Sequence, residues 1–403
     1  MGLNVKKIRE DFPLLTKPGK PVIYFDNACM TMKPQQVIDA VVRYYSEYPA
    51  CGGRSLHKLG KKVTEEVEQA RKQVAKFINA KSEKEIVFTK NTTESINLVA
   101  NSLKFKEGDI VLTSDKEHNS NLLQWQLMKD RGVKHKWFAT DFFNCFDERY
   151  FMEAMSKKVR LVSVGHTSNL DGVTLPAEKI IKIAHDYGSL VLLDCAQSVP
   201  HKDVDVRKMD ADFIAFSGHK MLGPTGTGAL YGKYSLLEEL SPFMIGGDTV
   251  SDSTYESCTL EKPPEKFEAG LQHYAGIIGF GEAVRYLSKI GMNNIEDHEL
   301  KLNKQITDEL LKIGRIKLIG PQDANLRSGI FSFNIDGVDS HNVAIMLDSS
   351  ANIMIRSGAH CVHSWFNAHK LKGSARASFY LYNTEIEADI FIEEVKKIVK
   401  YIK

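Results

Sequence analysis

Five short apolar runs spaced along residues 85–216 constrain the fold of this 403-residue chain more than any other feature. They are Glu85-Ile-Val-Phe-Thr89, Asp109-Ile-Val-Leu-Thr113, Arg160-Leu-Val-Ser-Val164, Ser189-Leu-Val-Leu-Leu193 and Asp212-Phe-Ile-Ala-Phe216. Each reads as a strand, and helical or turn segments separate most of them. That alternation predicts an α/β fold, with a mostly parallel sheet covered by helices on both faces. In an open sheet of this kind, ligands gather at the carboxyl ends of the strands. His166 to Asn169, Asp194 and Ser217 to Lys220 all follow predicted strands, so they should cluster although they are far apart in sequence.

Around the strands the helical signals are equally readable. Val63, Val67, Ala70, Val74 and Phe77 recur at intervals of four and three, the stripe of an amphipathic helix. Asn91-Thr-Thr-Glu-Ser95 supplies small polar residues where a new helical pattern starts, so the unit is strand, polar turn, helix. After about Glu282 the pattern changes. A long charged helix from Ile295 to Ile313, strand-like runs at Gly329 to Asn334 and Ile353 to Arg356, and a terminal helix predict a second, smaller α+β domain. No tract rich in Gly, Pro or Ser separates the two, so close packing is expected.

Composition narrows the function classes. A net charge of +2 argues against a polycationic nucleic-acid binder. No apolar run approaches the roughly 18 residues of a spanning helix, and the start Met1 to Lys7 lacks the apolar core of a signal peptide, so no membrane and a cytoplasmic setting are expected. The six cysteines, Cys29, Cys51, Cys145, Cys195, Cys258 and Cys361, form no C-x-x-C pair, so neither a zinc ribbon nor a disulfide framework is encoded.

The chemistry concentrates in Asp212-Phe-Ile-Ala-Phe-Ser-Gly-His-Lys220 and the glycine-rich turn after it. A lysine held at the ligand edge of a sheet and partly desolvated is what an amine needs in order to condense with an aldehyde. An arbitrary lysine is a surface residue, but the company of Lys220 reverses that reading. Asp194 ends an apolar strand, where a buried carboxylate is costly unless paired, and a protonated pyridine nitrogen is a suitable partner. His118 could stack on a ring. Thr92 and Thr93 at a helix N-terminus, with Ser217 and His219 beside the lysine, offer donors to a phosphate dianion. Together these residues describe a site for pyridoxal phosphate.

With those residues in place, the sequence resembles the class V aminotransferase family of pyridoxal phosphate enzymes, of fold type I (aspartate aminotransferase-like). Within that family it is most similar to the group II, SUF-type cysteine desulfurases and their selenocysteine lyase-like members. The resemblance runs through Tyr24-Phe-Asp-Asn-Ala28, Phe88 to Ala100, Asp194-Cys-Ala-Gln197, Ser217-Gly-His-Lys220, Phe267-Glu-Ala-Gly270, Arg356-Ser-Gly-Ala-His-Cys361 and Arg376 to Asn383. It implies a large cofactor domain over 21–281 and a small domain from 1–20 with 282–403. Lys220 would anchor the cofactor and shuttle a proton at the substrate α-carbon. Asp194 would face the pyridine nitrogen, Gln197 the phenolic oxygen, and His118 the ring. Thr93, Ser217 and His219 would bind phosphate, Asn169 and Arg376 the substrate carboxylate, and Arg356 would line the entrance. Cys361 would attack the sulfur of L-cysteine, with Arg356 or a protonated His360 or His363 favouring its thiolate. A homodimer passing sulfur to an acceptor or iron–sulfur scaffold protein is the implied setting, with no metal at the site.

Alternatives stay open at this level: a selenocysteine lyase taking L-selenocysteine, a class V aminotransferase or racemase that needs no thiol, or a non-catalytic relative. The sequence departs from the family pattern at Gly53, Leu271 and Ala359, where relatives carry histidine, threonine and histidine. Gln272 or His273 could stand in for the missing threonine. Cys195 reads as packing, while Cys29 and Cys51 lie in segments that approach the site in the family.

Overall fold

The structure, a computed structural model, describes residues 2–19 and 21–401. Seven strands form the main sheet: β1 (Ile86–Thr89), β2 (Ile110–Ser114), β3 (Lys134–Phe138), β4 (Val159–Gly165), β5 (Leu190–Asp194), β6 (Phe213–Ser217) and β7 (Gly228–Gly232). Their order across the sheet is β1-β7-β6-β5-β4-β2-β3. The five strands from β2 to β6 run parallel, and β7 pairs antiparallel with both β6 and β1. Every residue of β2, β6 and β7 is buried, which is why these segments read as unbroken apolar runs.

Helices cover both faces. Among them are α1 (Gln35–Glu47), α2 (Lys58–Phe77), α3 (Thr92–Ser102), α4 (Ala177–Asp186) and α5 (Tyr274–Ile290). The predicted stripe of α2 is real: Val63, Ala70 and Val74 are buried, and Val67 and Phe77 pack against the core. Burying each such aliphatic side chain contributes about 1.5–3 kcal/mol. Asn91 caps α3 by accepting the Glu94 N–H at 3.0 Å. Gly228 lets β7 press against this cap, since a Cβ there would lie 2.8 Å from Asn91 Cα and from Phe216 O.

Farther along come α6 (Met292–Leu310), β8 (Ile316–Leu318), β9 (Ile330–Ile335), α7 (Ser340–Ala351), β10 (Arg356–Gly358), β11 (Ser374–Ser378) and α8 (Glu385–Tyr401). The four strands make a second, antiparallel sheet in the order β8-β9-β11-β10. Two sequence expectations need correcting here. The helix expected over 295–313 begins at Met292, directly after Gly291 with φ +89°, and ends at Leu310. The strand expected over 353–356 is divided between two sheets: Ile353–Met354 pairs with Ile23–Tyr24, and Arg356 begins β10.

The chain crosses between the two cores near its start. Phe12 packs into the core of the main sheet, whereas Ile23 and Phe25 join the core of the second sheet with Phe331, Phe333 and Phe391. Asn27 and Asn383 staple this crossing: Asn27 Nδ2 donates to Ser378 O at 2.7 Å and to Asn383 Oδ1 at 3.1 Å.

Candidate active site

The carboxyl ends of β2, β4, β5 and β6 open into one cavity of about 240 Å³. Its lining brings together Thr92, Thr93, His118, Asn169, Asp194, Gln197, Ser217, His219, Lys220, Arg356, Cys361 and Arg376, the twelve residues given cofactor, substrate or nucleophile roles from the sequence. Four strands of the main sheet place seven of them, while Thr92 and Thr93 open α3, Arg356 begins β10, Cys361 follows it and Arg376 lies in β11. Glu117 and His118 follow β2, Thr167 to Asn169 follow β4, Asp194 ends β5 with Gln197 just beyond, and Ser217 ends β6 before the turn to Lys220.

Around Lys220 the charges are unpaired. Among the described residues its Nζ makes no hydrogen bond or ion pair, and burial lowers its pKa against the opposing attraction of Asp194. Asp194 is buried; its Oδ1 accepts the Ala196 N–H at 3.0 Å, and it too forms no ion pair among the described residues. Burial raises the pKa of this carboxyl, with the Ala196 N–H and then Lys220 pulling it back. Gln197 Nε2 donates to Ala28 O at 2.7 Å, which leaves its buried Oε1 without a partner.

At one end of the cavity Ser217 Oγ accepts the Thr92 N–H at 2.9 Å and lies 2.6 Å from Thr92 Oγ1. Thr93 Oγ1 lies 2.7 Å from Ser120 Oγ. These hydroxyls and the first N–H groups of α3 form a donor-rich cup suited to an anion. His118 Nδ1 accepts the Ser120 N–H at 3.0 Å, so a neutral ring carries its proton on Nε2. Burial, then the charges of Lys220 and Arg376, brings its pKa to about 3, and burial brings that of His219 to about 4. Beneath His118 the buried Glu117 accepts from Ser114, from Asn121 Nδ2 at 2.7 Å and from the Gly165 N–H at 2.8 Å, and burial raises it to about 7.

The other side of the cavity is cationic. Arg376 Nη1 donates to Asn169 O at 2.9 Å, and its Nη2 lies 3.6 Å from Asp26 Oδ1. Asn169 Nδ2 donates to His360 O at 2.7 Å. Cys361 is exposed, on a turn where both His360 and Cys361 have left-handed φ values of +49° and +60°. The Asn119 N–H donates to Cys361 O at 2.7 Å and holds the turn.

The expected cationic surroundings of Cys361 are not as the sequence suggested. Arg356 Nη1 donates instead to Cys29 Sγ at 3.2 Å. His360 is buried with Nε2 2.9 Å from Ser374 Oγ, and burial brings its pKa to about 2, so it is neutral at ordinary pH. His363 Nδ1 faces Asn119 Nδ2 at 3.0 Å and acts there as an acceptor. Gln272 does not stand free as a replacement donor either: its Nε2 turns onto Ala269 O and Gly270 O.

Sequence reasoning missed Asp26 and Glu117, and it brought Cys29 near the site only through the family resemblance, without its partner. Asp26 sits between Arg356 and Arg376, Cys29 is the sulfur that Arg356 touches, and Glu117 supports the His118 turn. Asp26 lay inside a quoted motif and Glu117 beside a quoted histidine, but neither position carried a signal of its partners.

The residues present fit pyridoxal phosphate. An unpaired buried carboxylate, an unpartnered lysine amine, an orphaned amide oxygen and a donor-rich helix start match a ring nitrogen, an aldehyde, a polar ring substituent and a dianion.

Comparison with known proteins gives the family. The family described as Aminotransferase class-V matches residues 23–391. A cysteine desulfurase of Haloferax volcanii is 39% identical over 412 residues, covering 98% of this chain and 96% of that protein. The apo structure of a cysteine desulfurase from Thermococcus onnurineus NA1 superimposes with a TM-score of 0.94 at 39% identity, covering 99% of both chains. The Escherichia coli cysteine desulfurase CsdA, in an S-sulfonic acid form, gives a TM-score of 0.91 at 32% identity over 98% of both chains.

Proposed function

The chain belongs to the aminotransferase class-V family, and from that premise we propose that it is a pyridoxal phosphate-dependent cysteine desulfurase, converting L-cysteine to L-alanine and retaining the sulfur as a persulfide on Cys361. The observation that carries this reading is an exposed thiol at the rim of a cavity that also holds the unpaired pair Lys220 and Asp194.

When bound, pyridoxal phosphate supplies an aldehyde for amines and a ring that draws electrons from the substrate α-carbon. Asp194 would hold a proton on the ring nitrogen. His118, kept neutral, would stack on the ring, and Gln197 would meet the phenolic side. Thr92, Thr93, Ser217 and His219 would bind the phosphate. Lys220 would anchor the cofactor and would move the proton at the substrate α-carbon; burial lowers its pKa, which suits an amine that must both give and take a proton. Arg376 and Asn169 orient the substrate carboxylate, and Arg356 guards the entrance. Cys361 Sγ attacks the substrate sulfur, the bond from sulfur to the β-carbon breaks with its electron pair left on carbon, and protonation of that carbon gives alanine.

The setting we infer is a homodimer in the cytoplasm, feeding an acceptor or scaffold protein of iron–sulfur cluster assembly. Support for the dimer comes from the segment after Phe267, where Glu268 is locked into the fold but Leu271 stands 72% exposed. Among the described residues no helix is long and apolar enough to cross a membrane.

The test is alanine release from L-cysteine together with mass mapping of added sulfur. Cys361→Ser should keep the cofactor absorbance and lose alanine release by about 100-fold or more, as expected for loss of a covalent nucleophile. Full turnover by the serine variant would remove Cys361 from the mechanism.

A further inference from the structure

The cavity contains a second thiol that the desulfurase reaction does not use. Cys29 lies half-buried in the lining, one residue after Ala28, whose carbonyl takes the Gln197 hydrogen bond and whose N–H donates to Ser378 Oγ at 2.9 Å. Its own N–H donates to Asp26 O at 3.1 Å. The sulfur is therefore fixed in relation to the cofactor residues. Arg356 Nη1 donates to Cys29 Sγ at 3.2 Å, a contact that stabilises negative charge on sulfur. Arg376 and Lys220 also face this sulfur, while Asp26 and Tyr24 are the groups of opposite tendency. Cys361 lines the same cavity, and both thiols act on the charge of Lys220.

We propose that Cys29 is a second sulfur-carrying site, to which the outer sulfur of the Cys361 persulfide is passed and where Arg356 holds it; this rests on the desulfurase reading above. The exchange is balanced without any added oxidant. Cys29 Sγ, as the thiolate, attacks the outer sulfur of the Cys361 persulfide. The new bond joins Cys29 Sγ to that sulfur, the bond from Cys361 Sγ breaks, and Cys361 leaves as a thiolate that recovers the proton given up by Cys29. One sulfur–sulfur bond replaces another.

Position gives the transfer a use. A persulfide on exposed Cys361 meets any thiol in solution, whereas one on Cys29 is half-buried beneath a guanidinium. Once Cys361 is freed, a second L-cysteine can react before an acceptor arrives, so each chain can hold two sulfurs.

The experiment uses the holoenzyme, pulsed with excess L-cysteine, quenched at intervals with iodoacetamide and mapped by peptide mass. The expected result is added sulfur on the Cys361 peptide first and on the Cys29 peptide later, with two sulfurs in the intact chain. Cys29→Ser should stop at one sulfur, on Cys361, and Cys361→Ser should leave Cys29 unloaded. Arg356→Gln should lower the ratio of Cys29 to Cys361 loading by about tenfold or more, the scale of one charge-assisted hydrogen bond. Read for this comparison after a single equivalent of L-cysteine has been consumed and the exchange has equilibrated, that ratio reports the exchange and not the turnover rate. Sulfur confined to Cys361 in the wild type, or Cys29 loaded at the normal rate in Cys361→Ser, would overturn the transfer while leaving desulfurase activity intact. No sulfur on either peptide would overturn both readings.

Discussion

Replacing Asp194 by asparagine should move cofactor affinity and apo-protein stability in opposite directions. The carboxylate is 7% exposed, accepts one backbone N–H from Ala196, and has no ion-pair partner among the described residues. Burial raises its pKa in the folded chain above the ordinary value near 4. The sign follows directly. Above the unfolded value the folded state is penalised for carrying this charge, and the penalty disappears as pH falls to the point where both states are protonated. Asparagine keeps the shape and the Oδ1 acceptor for Ala196 but carries no charge. Apo Asp194→Asn should therefore be more stable than apo wild type at pH 7, and the two should converge toward pH 4.

The bound state reverses the ranking, because a protonated ring nitrogen turns the same unpaired charge into a charge-assisted hydrogen bond. Such a bond contributes about 1.5–3 kcal/mol, so its loss weakens cofactor affinity by about tenfold to 150-fold. Urea denaturation of the two apo proteins and absorbance titration with pyridoxal phosphate read the two effects separately. An apo variant less stable than wild type, or an affinity unchanged within a factor of two or so, would refute the placement of Asp194 opposite the ring nitrogen.

Two further predictions concern the frame around the cavity. Glu268 is buried and bidentate with Arg71, at 2.7 and 2.8 Å, and accepts the Phe88 N–H at 2.7 Å, so Glu268→Ala strands a buried guanidinium and should cost about 3–5 kcal/mol in guanidinium chloride denaturation. Hydrogen exchange should accelerate at Phe88 in that variant, and unchanged protection there would count against the bridge as the strand's anchor. His360, at about 2 when folded, takes up its proton near 6.5 only when unfolded, so its contribution to stability is complete above pH 6.5 and declines below it by about 1.4 kcal/mol per pH unit. His360→Gln should remove that share of the acid slope between pH 6.5 and 4, and equal slopes for the two proteins would show that His360 is not held neutral by the fold.

What could be read from the sequence was what burial dictates locally. Strands such as Ile110–Ser114 are covered on both faces, so their composition alone announces them, and a polar residue at the end of such a strand, as Asp194 is, marks the ligand edge. Boundaries set by backbone conformation were less visible. Gly291, with φ +89°, separates two helices whose apolar patterns run together, and Ile355 lies where the chain leaves one sheet for another. Charge partners across the fold were the least legible. Arg356 stands five positions from Cys361 and 327 from Cys29, yet its guanidinium meets Cys29, because β10 directs the side chain across the cavity toward the Asp26 turn.

The same geometry explains why an exposed thiol can still be well placed. Left-handed backbone costs a residue with a Cβ about 1–2 kcal/mol, and the chain adopts it twice in succession at His360 and Cys361. Three contacts oppose that cost: the Asn119 N–H on Cys361 O, Asn169 Nδ2 on His360 O, and the His360 ring on Ser374 Oγ. Neutral hydrogen bonds of this kind contribute about 0.5–1.5 kcal/mol each, so the strain and its restraints are of similar size. The turn thus keeps its shape only while those partners are engaged. Asn169 lines the cavity, and Asn119 stands between two residues that do, His118 and Ser120, so the turn carrying Cys361 is tied to the cavity wall. Asn169 thus holds the thiol's turn directly against the cavity wall, and Asn119 does so through its chain neighbours.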